Sequence, residues 1–384
     1  MPVVQQDVKT LTGNYAAAHA ARLARIGAGL FFPIGPADEV METVQEFIDS
    51  GELPNAEILQ LEHEKDCMST QIALARLGVR TMFPTCGEGL LWTLSEAKYA
   101  AGSRLPLLVV DPSRGISPPT TMYCDHDDFL LYRDMSWLMF YCEDPQDVLD
   151  TILQAYKIAE DRSVLLPAIV GYDGYGGTSH SSFRVAIPDG AAVDQFLPLH
   201  KPNPDKDYAC VDWHARFKER RFQRMRGHYM EKKFLQCQAL EDAHEVILRV
   251  GSEYKATFGR DNVGTIQPYR CEDAEVVVVT MGAMSSTTRF VVDAMRDAGT
   301  KVGMVKLRVF RPFPKQELVE TLANAKVVVV LERNSLAAMF TEIKAAMYGS
   351  AAGTRPLVMG RIVGIGGREI TYVDVSKIIS EGLE

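Results

Sequence analysis

The residues best suited to chemistry in this chain stand where apolar runs end. Glu64 follows Glu57-Ile58-Leu59-Gln60-Leu61 and precedes a helical stretch running to Gly78. In open α/β sheets, ligands bind beyond the carboxyl ends of the strands, so Glu64 is a candidate acid facing a cofactor. Glu62, Glu64, Lys65 and Asp66 also suit a solvated first helical turn, which the helix dipole favours. Arg114 comes after Leu105–Val110 and Pro112-Ser113, where a planar guanidinium could grip a carboxylate with two bonds, or simply lie on the surface. Other polar groups at strand ends are Gly35 in the turn Phe32-Pro33-Ile34-Gly35-Pro36, Thr85-Cys86-Gly87, Asp125-His126 and Asp173. Asp125-His126-Asp127-Asp128 could ligate a hard cation, but adjacent side chains alternate in direction, which favours a hydrogen-bonded loop.

Elements of two kinds must position these groups. Asn14 to Gly27 reads as an Ala-rich amphipathic helix with Thr12 and Asn14 as caps; His19 within it reads as a packed helical histidine. Strand–turn–helix units then repeat: Gly29 to Phe32 into Ala37–Ser50, Glu57 to Leu61 into the helix after Glu64, and Arg80 to Pro84 into the helix after Gly87. Leu105–Val110 and Val164–Val170 add strands, and such continuous apolar runs alternating with helices imply a parallel sheet covered on both faces. Residues 184 to about 212 read as an extended, proline-punctuated connection, and Trp213 to about Gly259 as a charged helix with a basic start. A second α/β unit follows, with strands at Glu275–Thr280, Lys301–Val309 and Lys326–Leu331 and helices at Ser285–Ala298, Lys315–Ala323 and Ala337–Met347. The expected division is residues 1–190, a 191–260 linker with the charged helix, and 261–384.

Composition excludes several classes. With 384 residues, 47% hydrophobic content and 24% charged content, the chain has the make-up of an ordinary globular protein of two or three domains. A net charge of −9 argues against nucleic acid and anionic membranes as partners. No apolar run is long enough to span a bilayer, and Met1–Asp7 carries no signal-peptide pattern, so a cytoplasmic location is expected. The seven cysteines are scattered and never spaced C-x-x-C, against a disulfide framework or a local cluster or zinc site. Dinucleotide, P-loop and nucleophile-elbow motifs are absent; Gly364-Ile365-Gly366-Gly367 follows a strand but opens no helix.

Taken in order and spacing, Phe32-Pro-Ile-Gly-Pro36, Glu62-His-Glu64, Pro112-Ser-Arg114, Asp125-His126, Tyr172-Asp-Gly174 with Thr178-Ser-His180, and Leu307-Arg-Val-Phe-Arg-Pro-Phe-Pro314 resemble the α subunit of 2-oxoacid:acceptor oxidoreductases, the pyruvate:ferredoxin oxidoreductase-like family. The resemblance runs from Thr12 to Gly367. It implies a thiamine diphosphate-binding fold, with a pyrimidine-type domain followed by a transketolase C-terminal-like α/β domain. It also implies that Glu64 accepts the hydrogen bond of the pyrimidine N1′, which activates the cofactor's carbon nucleophile. Pro33, Ile34, Gly35 and Thr85 would line the cofactor, while Gly35, Arg114, Asp125 and His126 would meet substrate.

No G-D-G…N loop for a Mg²⁺-bound diphosphate occurs, since Pro188-Asp189-Gly190 and Asp173-Gly174 lack the preceding glycine. The resemblance therefore implies half a site, with a β subunit supplying the diphosphate and Mg²⁺ half. The [4Fe-4S] clusters would sit on partner subunits, including γ and ferredoxin-like δ chains. Ferredoxin or an NAD-linked subunit would take the electrons and coenzyme A the acyl group. At position 35, pyruvate-using members carry Thr and oxalate-using members Arg. Gly35 argues against oxalate and for a bulky or aryl 2-oxoacid such as phenylglyoxylate, with pyruvate or oxalate as alternatives; glycine there could also serve only the turn. The rivals are a non-catalytic assembly subunit, for which the basic helix near 217–226 speaks, and a transketolase-like transferase without redox partners.

Overall fold

The computed structural model describes residues 6–199, 225–348 and 355–383. Its larger sheet is parallel over β6 (Leu138–Cys142), β7 (Ala168–Asp173), β5 (Leu108–Ser113), β4 (Thr81–Pro84), β2 (Ala28–Phe31) and β3 (Glu57–Gln60), in that spatial order. The interior strands β4, β5, β6 and β7 are buried at every residue, which is why they appear as unbroken apolar runs. A second sheet has the order β14 (Leu357–Ile362), β13 (Val327–Glu332), β10 (Val276–Thr280), β11 (Val302–Leu307) and β9 (Ile266–Tyr269), with only β9 antiparallel. An antiparallel ribbon joins β1 (Gln6–Leu11) to β8 (Phe183–Pro188).

One face of the large sheet is covered by α1 (Gly13–Leu23), α2 (Asp38–Asp49), α7 (Pro145–Ala159) and α9 (Met225–Phe258). Five buried alanines let α1 lie close to its neighbours: Ala16, Ala17, Ala18, Ala20 and Ala21. His19 is buried there against Phe47, with ring centroids 4.9 Å apart. The other face carries α3 (Glu64–Arg76) and α5 (Leu94–Gly102), whose core runs on without a break into side chains of the second sheet.

Two features cross the expected divisions. Helix α9 buries Ala243, Val250, Tyr254 and Phe258 in the first core, and Arg260 fastens its end to Asp150 at 2.7 Å. The Leu307–Pro314 block leaves the second sheet at Arg308, so β12 (Val309–Arg311) pairs antiparallel with β6 of the first. Elements not expected from the sequence lie between Arg114 and Val164, chiefly strand β6, and helix α7 with Asp144 as its N-cap and Pro145 in its first turn. Of the basic stretch near 217–226, residues up to 224 lie outside the described residues. Among the described residues, no helix is long and apolar enough to cross a membrane.

Candidate active site

Glu64 begins α3 immediately after the turn that leaves β3. His63 is extended and caps the helix, its Nδ1 accepting the Lys65 amide at 3.1 Å. The solvated reading of the first turn holds for Glu62, Lys65 and Asp66, all exposed, but not for Glu64, which is 4% exposed. The nearest basic group to its carboxylate is His63 Nδ1, 3.7 Å from Oε2. A nitrogen that accepts the Lys65 amide carries no proton, so this contact is not a hydrogen bond. Among the described residues nothing donates to the Glu64 carboxylate. Its oxygens, unlike Thr85 Oγ1, are not sealed from solvent, so they remain open to a donor from outside the chain.

Thr85 and Gly89 meet Glu64 from the next strand–helix turn. A Cβ on Gly89 would overlap Thr85 Oγ1 and stand 3.1 Å from both Cγ and Oε1 of Glu64. Thr85 Oγ1 is itself buried without a partner. The turn Thr85-Cys86-Gly87 leads into α4 (Glu88–Trp92), and Gly87 adopts φ +55°, where glycine carries no steric penalty. Cys86 Sγ donates to Gly35 O at 3.5 Å, tying this turn to the proline turn after β2.

Arg114 follows β5 and is no ordinary surface arginine, with its side chain 11% exposed. Its Nη2 donates to Glu88 Oε2 at 2.7 Å, and Glu88 Oε1 accepts the Ser117 amide at 2.6 Å. Burial works to raise the Glu88 carboxyl, but its bonds to Ser117 and the charge of Arg114 prevail and hold it at about 2. Arg114 Nε is buried without a partner and packs where a Gly87 side chain would be, 2.5 Å from an ideal Cβ.

Beneath both turns lies the fully buried Asp128. Its Oδ2 accepts the amides of Gly87 at 2.8 Å and Arg114 at 2.9 Å, and its Oδ1 accepts that of Phe129 at 2.7 Å. Burial nevertheless lifts its carboxyl to about 7. Asp111, buried beside it, is raised well above the usual carboxylate range by burial and by the Asp128 charge. Burial and mutual repulsion thus disfavour full ionisation of the pair.

Gly35 lies outside the left-handed region, so the turn does not demand glycine. A Cβ there would meet nothing nearer than Met122 Sδ at 3.7 Å and Asp38 Oδ2 at 4.0 Å, so the position is open. Pro33 is exposed and Ile34 half-buried, with the Ile34 carbonyl accepting the Ala37 amide at 2.9 Å.

Glu64, Thr85, Gly35 and Arg114 are thus brought together, whereas Asp125 and His126 turn toward the second sheet. His126 has no exposed surface, and its Nε2 is 3.0 Å from Asp173 Oδ1. Asp173 Oδ2 accepts the Ala283 amide at 2.7 Å, and Asp125 Oδ2 that of Gly366 at 3.2 Å. Burial would raise the Asp173 carboxyl, but Arg333, His126 and the Ala283 amide hold it at about 2. Asp127 accepts the Ser335 amide and hydroxyl. The four side chains of Asp125–Asp128 thus take different partners, and no metal-binding cluster occurs among the described residues. Asp189 is likewise occupied, capping α8 (Gly190–Phe196) through the amides of Ala191 and Ala192.

Residues 19–250 match the family model described as pyruvate flavodoxin/ferredoxin oxidoreductase, thiamine diP-binding. The chain belongs to this family. Residues 274–375 match pyruvate:ferredoxin oxidoreductase core domain II. Pyruvate synthase subunit PorA of Pyrococcus furiosus is 38% identical over 368 residues, covering 95% of this chain and 90% of that protein. Ketoisovalerate oxidoreductase subunit VorA of Pyrococcus horikoshii is 36% identical, covering 97% and 93%. Among solved structures, a 2-oxoglutarate:ferredoxin oxidoreductase from Magnetococcus marinus superposes with TM-score 0.74 at 18% identity, covering 99% of this chain and 66% of that one. A split gene transketolase gives 0.55 at 12% identity, covering 98% and 99%. The chain is an α-type subunit of the 2-oxoacid:ferredoxin oxidoreductase family with the thiamine diphosphate-binding fold.

The sequence reading missed Glu88, Asp111 and Asp128 as members of this cluster. Glu88 carries the one available signal, an acid directly after a turn glycine that follows a buried strand.

Proposed function

We propose that this subunit supplies the pyrimidine side of a thiamine diphosphate site, in a complex that oxidatively decarboxylates a bulky 2-oxoacid. One observation carries the reading: a buried carboxylate, Glu64, at the carboxyl end of β3, with no hydrogen-bond donor among the described residues. It fits an aminopyrimidine that presents a donor, and glycine at position 89 lets Thr85 and Glu64 pack directly against the α4 backbone. Thiamine diphosphate, when bound, supplies the carbon nucleophile that attacks a keto group and the electron sink for loss of CO₂. Glu64 accepts the hydrogen bond that tunes the ring, and Thr85 offers a hydroxyl beside it. The segment Pro33–Gly35 shapes the adjoining wall. Arg114, with Nη1 lacking an acceptor among the described residues, anchors the substrate carboxylate. Asp125 and His126 act at one remove, holding the loop that contains Asp128 against the second sheet.

The diphosphate and Mg²⁺ belong to a β-type partner. The [4Fe-4S] clusters belong to γ- and δ-type partners that pass electrons to ferredoxin or an NAD-linked subunit, and coenzyme A takes the acyl group. The open space at Gly35 supports a substrate larger than pyruvate, with phenylglyoxylate as the aryl case. Purified complex assayed on pyruvate, 2-oxoisovalerate, oxalate and phenylglyoxylate tests this: the highest kcat/KM is expected for a bulky acid, and high pyruvate turnover with none on branched or aryl acids would refute it. Glu64→Gln in the same complex should lower turnover by on the order of 100-fold while subunits and iron stay bound; near-normal turnover would refute the role of Glu64.

A further inference from the structure

The carboxylate-binding reading of Arg114 leaves unexplained a second carboxylate already holding that arginine. Glu88 Oε2 accepts from Arg114 Nη2 at 2.7 Å, and its Oε1 is fixed by the Ser117 amide at 2.6 Å. Its side chain is 30% exposed, so it stands at the mouth of the cluster rather than deep in the core. Asp111 and Asp128 lie on the inner side of Arg114, Asp128 bonded to its amide. Among the described residues, Arg114 is the one cation in this hydrogen-bonded group. The ion pair as it stands is neutral, and the carboxylate keeps its charge at any working pH because it titrates at about 2.

We propose that Glu88 is a specificity-determining residue that works as a charge filter. Arg114 receives one carboxylate at the Nη1 edge of its guanidinium while Glu88 repels a second, so monocarboxylate 2-oxoacids are admitted and dicarboxylates disfavoured. The inference rests on the reading of Arg114 given under Proposed function. A like charge within about 6–8 Å, at an effective dielectric of about 20, shifts relative affinity by on the order of tenfold or more.

Oxamate and oxalate share one shape and differ by one negative charge, so competitive inhibition of the intact complex by the two isolates the effect. Wild type should bind oxamate more tightly; equal or tighter oxalate would overturn the proposal without any variant. In Glu88→Gln the oxalate-to-oxamate ratio of inhibition constants should fall by about tenfold, whereas Glu88→Asp, which keeps the charge, should leave it near the wild-type value. An unchanged ratio in Glu88→Gln, or an equal shift in Glu88→Asp, would overturn the filter. Arg114→Gln, run alongside, should weaken both inhibitors. If it weakens neither, the carboxylate-binding reading of Arg114 falls; if it weakens both while Glu88→Gln keeps the wild-type ratio, only the filter falls.

Discussion

Replacing Asp128 by alanine should loosen the site without replacing any residue that faces substrate. The carboxylate accepts the Gly87, Arg114 and Phe129 amides at 2.8, 2.9 and 2.7 Å, and it has no contact with solvent. Each buried donor left unpaired costs about 1–3 kcal/mol. Partial relaxation and water entry reduce the sum over three donors to roughly 3–6 kcal/mol, on the order of a 5–10 °C fall in the thermal midpoint of the subunit. Two of the three donors sit on the turns that carry Gly87 and Arg114, so KM for the 2-oxoacid should rise at least tenfold, more than kcat falls. Asp128→Asn retains an acceptor for two of the amides and relieves the repulsion of Asp111, so its thermal loss should be less than half as large. Differential scanning calorimetry and steady-state kinetics on the assembled complex provide the readouts. An Asp128→Ala midpoint within 1 °C of wild type, with unchanged KM, would refute the bonding scheme.

Two further outcomes follow from single positions. Gly89→Ala places a methyl group against Thr85 Oγ1 and 3.1 Å from Glu64 Cγ and Oε1, so turnover should fall on the order of 100-fold with normal assembly; wild-type kcat would show that Glu64 need not hold its place. His19 is lowered from 6.5 to about 4, chiefly by burial and secondarily by Arg22. Its folded value lies below its unfolded one, so its contribution is complete above pH 6.5 and is lost as the pH falls toward 4, by about 3 kcal/mol. Thermal scans of His19→Gln against wild type should therefore show the variant losing less stability between pH 7 and pH 4.5; parallel losses would contradict this.

The sequence exposes the carboxyl ends of β2, β4 and β5 because buried parallel strands must be apolar and the first polar residues after each mark the rim. Arg114 is legible for that reason, whereas Glu64 follows β3, which is not a buried strand but the sheet's edge, with Glu57 and Gln60 exposed. Glu88 and Asp128 are not legible. The first looks like any acid in a first helical turn, and the second sits in an Asp-His-Asp-Asp run whose members point to four separate partners. The long-range pairing of β1 with β8 has no local signature, because its partners are more than 170 residues apart. Val309–Arg311 continues the apolar pattern of β11, so only the structure shows the chain changing sheets at Arg308, where Tyr141 donates its amide to the Arg308 carbonyl at 2.8 Å. Gly35 illustrates the same limit: sequence alone leaves a turn requirement open, and its ordinary φ removes that explanation.

The most direct measurement is a structure of the assembled complex with thiamine diphosphate bound. The expected result is a Glu64 carboxylate oxygen within hydrogen-bond reach, about 2.6–3.2 Å, of the aminopyrimidine ring nitrogen, with the diphosphate and Mg²⁺ held by a different chain. A Glu64 side chain remote from the cofactor, or a cofactor held entirely by this chain, would contradict it.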